Sequence, residues 1–425
     1  MTFAIHTFGC KVNTYESEYI INLMENNGYK MVDFKSNSDI YIINTCSVTN
    51  EADRKDRQFI HGIRKNHPNS ILIVMGCYSQ LNSDKIDADI ILGNKYKGDI
   101  VELLDEYLKN KKKIIKVEDI RNTKFEDMYI NRFVTHTRAF VKIQDGCNAF
   151  CAYCAIPYAR GGIRSKYLSK VINEVTNLVN NGYKEIVLTG IHTGRYGLGT
   201  DDNLEKLLRE LVKIPNIFRI RLSSIEINEI TDGIIDLIKN NDIMAKHLHI
   251  PLQSGSDKIL KLMNRKYDKK YFIDRVDYIR KEIPGISITT DLIVGFPSEG
   301  DNEFNETLDT LAKIKFSKIH TFPYSKRDGT VAASMKEQVD NTTKKERVNK
   351  VLKLSYINEI EYFKENIGKI FTGVVESRSN NKKIVLTSNY IPVIVDTNLD
   401  NNTIINVKIT DLKDDIVYGE IIEKD

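Results

Sequence analysis

Cys147, Cys151 and Cys154 form a C-x3-C-x2-C loop, Gln144-Asp145-Gly146-Cys147-Asn148-Ala149-Phe150-Cys151-Ala152-Tyr153-Cys154, immediately after the strand-like run Ala139 to Ile143. Three thiolates on one tight loop can hold three irons of a 4Fe-4S cluster, and with no fourth cysteine nearby one iron stays open to another ligand. A structural zinc site is the bland alternative, but zinc takes four closed ligands, usually with C-x2-C spacing at both ends. The loop therefore calls for a fold that delivers a strand end to a ligand-binding edge.

The other three cysteines follow the same plan. Apolar runs at Phe3 to Phe8, Ile40 to Ile43 and Ile71 to Val74 are each followed closely by a cysteine, Cys10, Cys46 and Cys77, and Tyr15 to Asn27 and Ala52 to Asn66 read as helices between them. This alternation predicts a parallel, helix-covered sheet, whose ligands bind at the carboxyl ends of the strands. Taken singly, each cysteine reads as a core thiol, since free cysteine is among the most buried residue types. Their shared place past a strand end predicts a second three-ligand cluster site, with Gly9 and Gly76 letting the backbone approach closely.

A second alternation begins at Ala139, with strands at Ala139 to Ile143, Glu185 to Thr189, Ile217 to Leu222, His247 to Pro251, Ser287 to Val294 and Lys318 to Phe322. Six β/α units predict an incomplete barrel of the TIM type with its chemistry at the C-terminal strand ends. The lysine run Lys109 to Lys113 and the polar segment after it read as a solvated linker. Lys336 to Asn366 reads as one or two helices leading out of the barrel, and five strand-like runs between Phe371 and Ile422 as a small β-barrel. The expected fold is thus α/β, with a Rossmann-like parallel sheet domain over 1–115, a linker over 116–137, a partial (β/α)6 barrel over 138–365 and a C-terminal β-barrel over 366–425.

At 425 residues the chain has room for two to three domains. Its first residues lack the basic-then-apolar pattern of a signal peptide, and no apolar run reaches bilayer-spanning length. The expectation is a cytoplasmic protein with no membrane partner, in which six cysteines favour metal or redox chemistry over disulfides. A net charge of +4 is compatible with a nucleic-acid partner without calling for one.

The cysteine loop, with Tyr153 just before its last cysteine, resembles the radical S-adenosylmethionine superfamily. Over essentially the whole chain the likeness is to the methylthiotransferase family. It runs through Gly9-Cys10-Lys11-Val12-Asn13, Ile43-Asn44-Thr45-Cys46, Gly76-Cys77-Tyr78, Ile156-Pro157-Tyr158-Ala159-Arg160-Gly161, Leu188 to Gly194, His247 to Gly255, Val294-Gly295-Phe296-Pro297 and Phe322 to Arg327. The isopentenyladenosine-tRNA branch typically has Gln-Met-Asn where this chain has Lys11-Val12-Asn13, which favours the threonylcarbamoyladenosine-tRNA branch.

The resemblance implies two 4Fe-4S clusters, an auxiliary one on Cys10, Cys46 and Cys77 and a radical-generating one on Cys147, Cys151 and Cys154 that chelates S-adenosylmethionine. It also implies a C-terminal TRAM domain that binds RNA. The partners it implies are the anticodon stem-loop of tRNA, a reductant such as flavodoxin or ferredoxin, and a sulfur donor. One S-adenosylmethionine would methylate sulfur at the auxiliary cluster, and a second would be cleaved to a 5′-deoxyadenosyl radical that activates C2 of the modified adenosine. An aromatic C–H bond is beyond acid–base side chains, so no residue is named catalytic and the cofactors carry the hard step.

Tyr153 would lie against the adenine of S-adenosylmethionine. By position at strand ends, Thr189, Gly190, Ser224 and Glu226 are candidates for its methionine and ribose parts, and Val294 and Gly295 for packing on its adenine. Ser and Glu at such places more often satisfy backbone groups, and His192, His247 and His249 read as hydrogen-bonded structure. Arg54, Lys55, Arg57, Arg160, Arg164, Lys326 and Arg327 are candidates to track phosphates. From Asn366 onward there are seven Lys/Arg against nine Asp/Glu, so the RNA role of that unit rests on resemblance alone. The alternatives are the isopentenyladenosine branch, a relative acting on an aspartate of a ribosomal protein, and a non-catalytic iron–sulfur carrier, for which the barrel would be idle.

Overall fold

Runs that are apolar and buried throughout, such as Ile40–Thr45 and Ile71–Gly76, are what a parallel strand covered on both faces requires. The computed structural model describes residues 1–377 and 383–422, so 378–382 and 423–425 of the expected C-terminal unit fall outside it. Strands β1 (Thr2–Thr7), β2 (Lys30–Met31), β3 (Ile40–Thr45), β4 (Ile71–Gly76), β5 (Ile90–Leu92) and β6 (Ile114–Lys116) form one parallel sheet in the order β2-β1-β3-β4-β5-β6. Helices α1 (Lys11–Asn26), α2 (Asn50–Asn66), α3 (Cys77–Asn82) and α4 (Ile100–Asn110) connect it. Ile20 and Met24 of α1 and Leu104 of α4 pack on one face, and Ile60 of α2 on the other. Strand order reverses between β1 and β3, which opens a crevice at their carboxyl ends.

Lys109 to Lys113 are exposed as expected, but the segment beyond β6 is a strap rather than a solvated linker. Met128, Ile130 and Phe133 are buried in the core of the next unit, and Tyr15 of α1 donates its hydroxyl to the Met128 carbonyl at 2.9 Å. These apolar residues are spaced without a helical or strand period, so nothing in the sequence set them apart from a polar connection.

The second unit begins with β7 (Ala139–Lys142). A short antiparallel pair follows, β8 (Gln144–Asp145) with β9 (Arg164–Ser165), flanking helix α5 (Ile156–Arg160). Strands β10 (Glu185–Thr189), β11 (Arg219–Leu222), β12 (His247–His249), β13 (Ser287–Val294) and β14 (Lys318–Pro323) complete six parallel strands. They pair as β11-β10-β7 and β12-β13-β14, and bridges Ile220–Met244 and Ser224–His249 join the two sets into one open barrel. Val141, Leu188, Leu222, Leu248 and Ile288 share the face that packs on the helices. The alternate positions carry polar groups, among them Lys142, Glu185, Arg219, Arg221 and His247.

A single 25-residue helix, Asn341–Glu365, leads to a closed barrel of five strands, β15 (Ile370–Ser377), β16 (Lys383–Thr387), β17 (Pro392–Val395), β18 (Ile404–Lys413) and β19 (Ile416–Ile422), in the order β15-β16-β17-β19-β18. It seats against the N-terminal ends of β10 to β12, opposite the cysteine loops. Glu185, buried, accepts from Arg221 at 2.8 Å and Arg219 at 3.4 Å, with Arg138 at 3.7 Å. Arg219 also donates to the Thr372 carbonyl (2.9 Å) and Arg221 to the Thr387 carbonyl (3.2 Å), while Tyr390 stacks on His247 with ring centroids 4.4 Å apart.

Removing that one carboxylate strands buried guanidiniums. Glu185→Ala is expected to cost about 3–5 kcal/mol and to make the C-terminal barrel a ready target of limited proteolysis; Glu185→Gln, which keeps an acceptor, should lose less in the same denaturation and digestion series.

Candidate active site

Each cysteine of the first set sits where a parallel strand ends. Cys10 follows β1 and caps α1, Cys46 follows β3 directly, and Cys77 follows β4 and opens α3. The two glycines are needed where the cysteine loops meet. Both have positive φ, and a Cβ on Gly9 would lie 2.7 Å from the Cys46 sulfur, one on Gly76 2.4 Å from the Thr45 carbonyl oxygen. They let the cysteine loops close on one another. Asn13 tightens the same turn, donating to the Phe8 (2.7 Å) and Thr45 (2.9 Å) carbonyls.

The second set is held by the β8–β9 pair at the base of its loop. Cys147 N–H donates to the Gly161 carbonyl (3.0 Å), Cys154 N–H to the Cys151 carbonyl (2.9 Å), and Ala152 N–H to the Met263 carbonyl (3.0 Å). Asn264 donates to the Ala149 carbonyl at 3.2 Å from the other side. Arg265 donates to the Cys151 sulfur at 3.4 Å and pairs with Glu226. His192 bridges the Cys147 sulfur (3.3 Å) and Glu229 (2.9 Å). Burial opposes a charge on His192, yet these two partners push it up to about 10. His192 lies in the Leu188 to Gly194 motif and reads there as hydrogen-bonded structure, whereas Arg265 carries no motif that marks it in the sequence.

All six cysteines line one cavity, together with Tyr153, Gly190, Ser224 and Glu226. Thr189 is buried at the end of β10 beneath it. Val294 and Gly295 lie elsewhere: Val294 packs in the outer core, and Gly295 donates its N–H to Glu299 at 2.7 Å. Strand alternation brings Ile293 instead to an adjoining apolar crevice, with Phe322, Pro323 and Tyr324. The crevice shares Val48, Tyr153, Cys154, Gln253 and Asp291 with the main cavity.

Two of the basic residues expected at phosphates, Arg160 and Arg327, are clamps between the two α/β units, and a third, Arg164, is tied down within the barrel unit. Arg160 and Arg327 are buried, and Arg164 is nearly so. Arg160 binds Glu16 and Asp145, Arg164 binds Asp145 (2.9 Å), and Arg327 binds Asp53 (2.9 Å). Arg54, Lys55, Arg57 and Lys326 remain exposed.

Burial pushes the Cys46 and Cys154 thiols up to about 12, so as free groups they are neutral and poor nucleophiles. Two all-sulfur sets of three, opening on a shared cavity, fit polynuclear iron–sulfur groups, each with one iron left open.

Residues 141–311 match the model of the radical SAM superfamily, and residues 2–93 match a family described as uncharacterized protein family UPF0004. The chain is 42% identical over 405 residues to the threonylcarbamoyladenosine tRNA methylthiotransferase MtaB of Bacillus subtilis, covering 92% of this chain and 90% of that protein. It belongs to the radical S-adenosylmethionine methylthiotransferase family. The MtaB protein of Aquifex aeolicus is 38% identical, covering 92% and 96%, and the tRNA-2-methylthio-N(6)-dimethylallyladenosine synthase of Thermoanaerobacter pseudethanolicus 36%, covering 99% and 93%. Among solved structures, the radical S-adenosylmethionine methyltransferase TsrM from Kitasatospora setae superposes with a TM-score of 0.54 at 13% identity, over 76% of this chain and 74% of that one, a likeness of fold alone. Membership in this family brings S-adenosylmethionine and iron–sulfur clusters as the methylthiotransferase's cofactors.

Arg265 is the main partner of Glu226 in the methylthiotransferase cavity. Arg265→Met should lower stability by about 1–3 kcal/mol in thermal unfolding, because the carboxylate loses its donor; adding Glu226→Gln should restore part of the loss.

Proposed function

We propose that this chain converts N6-threonylcarbamoyladenosine at position 37 of tRNA to its 2-methylthio derivative, with Cys147, Cys151 and Cys154 holding the radical cluster and Cys10, Cys46 and Cys77 the auxiliary one. The observation that carries it is the meeting of both cysteine sets in one cavity. A carrier has no need to face two clusters at each other, whereas a transfer between them and a shared substrate does. When bound, the clusters and S-adenosylmethionine supply a carbon-centred radical and the sulfur that is transferred.

The residues around them position and enclose. Gly190, Ser224 and Glu226 stand beside the Cys147 loop to hold S-adenosylmethionine, with Tyr153 and Ile293 offering flat and apolar surface to its adenine or to the incoming base. The crevice walled by Val48 and Phe322 admits a planar base between the two α/β units. Arg54, Lys55, Arg57 and Lys326 are the exposed cations left to meet phosphates, where binding is chiefly electrostatic. The C-terminal barrel would hold the RNA through shape and polar contacts rather than net charge. Among the described residues no helix is long and apolar enough to cross a membrane; the proposed location is the cytoplasm, on the strength of the proposed tRNA substrate. A reductant such as flavodoxin or ferredoxin and a sulfur donor complete the proposed partners.

The test is mass spectrometry of tRNA nucleosides from cells lacking the gene and from the same cells carrying it back. Loss and recovery of 2-methylthio-N6-threonylcarbamoyladenosine is expected, and a Cys77→Ala copy should fail to restore it. Loss of the isopentenyl counterpart would assign the chain to the sister branch, and no change in either nucleoside would overturn the tRNA substrate.

A further inference from the structure

Arg160 uses every N–H it has. Its Nε donates to the Cys77 sulfur at 3.2 Å, one terminal nitrogen to Glu16 (2.8 Å) and Asp145 (3.2 Å), and the other to Asn13 (2.6 Å) and Glu16 (3.1 Å). The side chain is fully buried. Cys77 and α1 belong to the first sheet, Asp145 to the barrel unit. Arg160 itself stands on α5, shortly after Cys154 on the same stretch of chain. One short rigid segment therefore ends in a sulfur of one cysteine set and in a guanidinium against a sulfur of the other.

The contacts are unequal around the first set. Cys77 has a second, longer donor in Asn94 (3.7 Å), whose amide is fixed by the Ala159 carbonyl (2.8 Å). The Cys10 and Cys46 sulfurs take backbone N–H groups instead, from Asn13 and Val48, so Arg160 brings the one charged donor among these contacts. The charges are unequal too. Lys97, Lys142, Arg160 and Arg164 gather around only Glu16 and Asp145, all of them buried or nearly so. Burial works against the charge of a third carboxyl close by, Glu126, which it pushes up to about 7, and against that of Lys97, which it pushes down. Buried cations without counter-charge are costly, and the anion missing from this knot is the one its Nε points at.

We propose that Arg160 is the positioning residue of the auxiliary cluster, fixing it relative to the radical cluster and raising its reduction potential through the hydrogen bond to Cys77. The proposal rests on the reading of Cys10, Cys46 and Cys77 as the ligands of that cluster. A donor on a coordinating sulfur, and a positive charge beside it, favour the more negative reduced state. A purely structural ion knot would hold the two units together and leave the potential where it was.

The experiment is an EPR-monitored redox titration of the full chain carrying Cys147→Ala, Cys151→Ala and Cys154→Ala, which isolates the auxiliary cluster, in Arg160, Arg160→Gln and Arg160→Lys forms. Arg160→Gln should lower the midpoint so that the reduced-to-oxidised ratio at fixed potential falls about tenfold, about 59 mV for one electron. Arg160→Lys, which keeps the charge but not the directed Nε donor, should fall between. In the intact holoenzyme the radical-cluster midpoint should stay unchanged. An auxiliary midpoint unmoved in both variants overturns the proposal; should Arg160→Gln fail to bind iron, the midpoint of Arg160→Lys decides in the same way. Should neither variant bind iron while circular dichroism and the radical cluster of the holoenzyme stay intact, the positioning role is upheld. If the three-alanine protein with Arg160 intact holds no cluster at all, it is the ligand assignment that falls instead.

Discussion

Glu16 is the carboxylate on which the arrangement of the two α/β units depends. It lies in the middle of α1, out of water, and receives Lys97 from its own domain, Lys142 from β7 and Arg160 from α5. A buried carboxylate is tolerable only where cations are brought to it in good geometry, and the cations available here come from both sides of the interface. Burial alone would raise Glu16; Arg160, Lys142 and Lys97 together hold it well below the usual carboxylate range. The interface is therefore set by where these charges can meet, and apolar contacts such as Tyr15 against the barrel core fill in around them.

That alignment turns a general property of parallel sheets into a site. Each sheet presents its chemistry at the carboxyl ends of its strands, and the two sheets are docked so that these edges face each other across one cavity. Neither unit alone has both cysteine sets. The third unit keeps clear of this edge, because Glu185 and its arginines hold it at the opposite ends of the barrel strands.

The elements and the cysteines were legible from the chain because period and strand ends are written in apolar residues. Three strands of the parallel sheet, the six barrel strands and the five-stranded C-terminal barrel appear where alternation placed them; β2, β5 and β6, only two or three residues long, carry too short a pattern to be read, and the stretch read as one or two helices holds a single long one. The phase of one strand was not legible: Leu292, Ile293 and Val294 are all apolar, so period alone does not say which points inward, and Ile293 rather than Val294 reaches the crevice. Polar pairing was the larger gap. Arg160, Arg164 and Arg327 look in sequence like any surface cation, and Glu16 is one of two glutamates in Tyr15-Glu16-Ser17-Glu18 with nothing to distinguish it. The partners that Arg160 and Arg327 find in the first unit lie far along the chain, and only the docked fold reveals that these two are interior.

Under the proposed ligand assignment, the excess of buried cations links docking to cluster loading. Any group that binds the docked arrangement and not the separated one stabilises it by mass action, and deprotonation of ligand thiols on metal binding adds negative charge where the knot lacks it. Arg160 reaches Cys77 only when the barrel unit is in place, so the auxiliary site is complete only after docking. The radical-cluster loop has no such dependence, since its donors Arg265 and His192 come from its own barrel. The two cysteine sets thus differ in what must be folded before each is whole, and the difference lies in a single arginine shared across the interface.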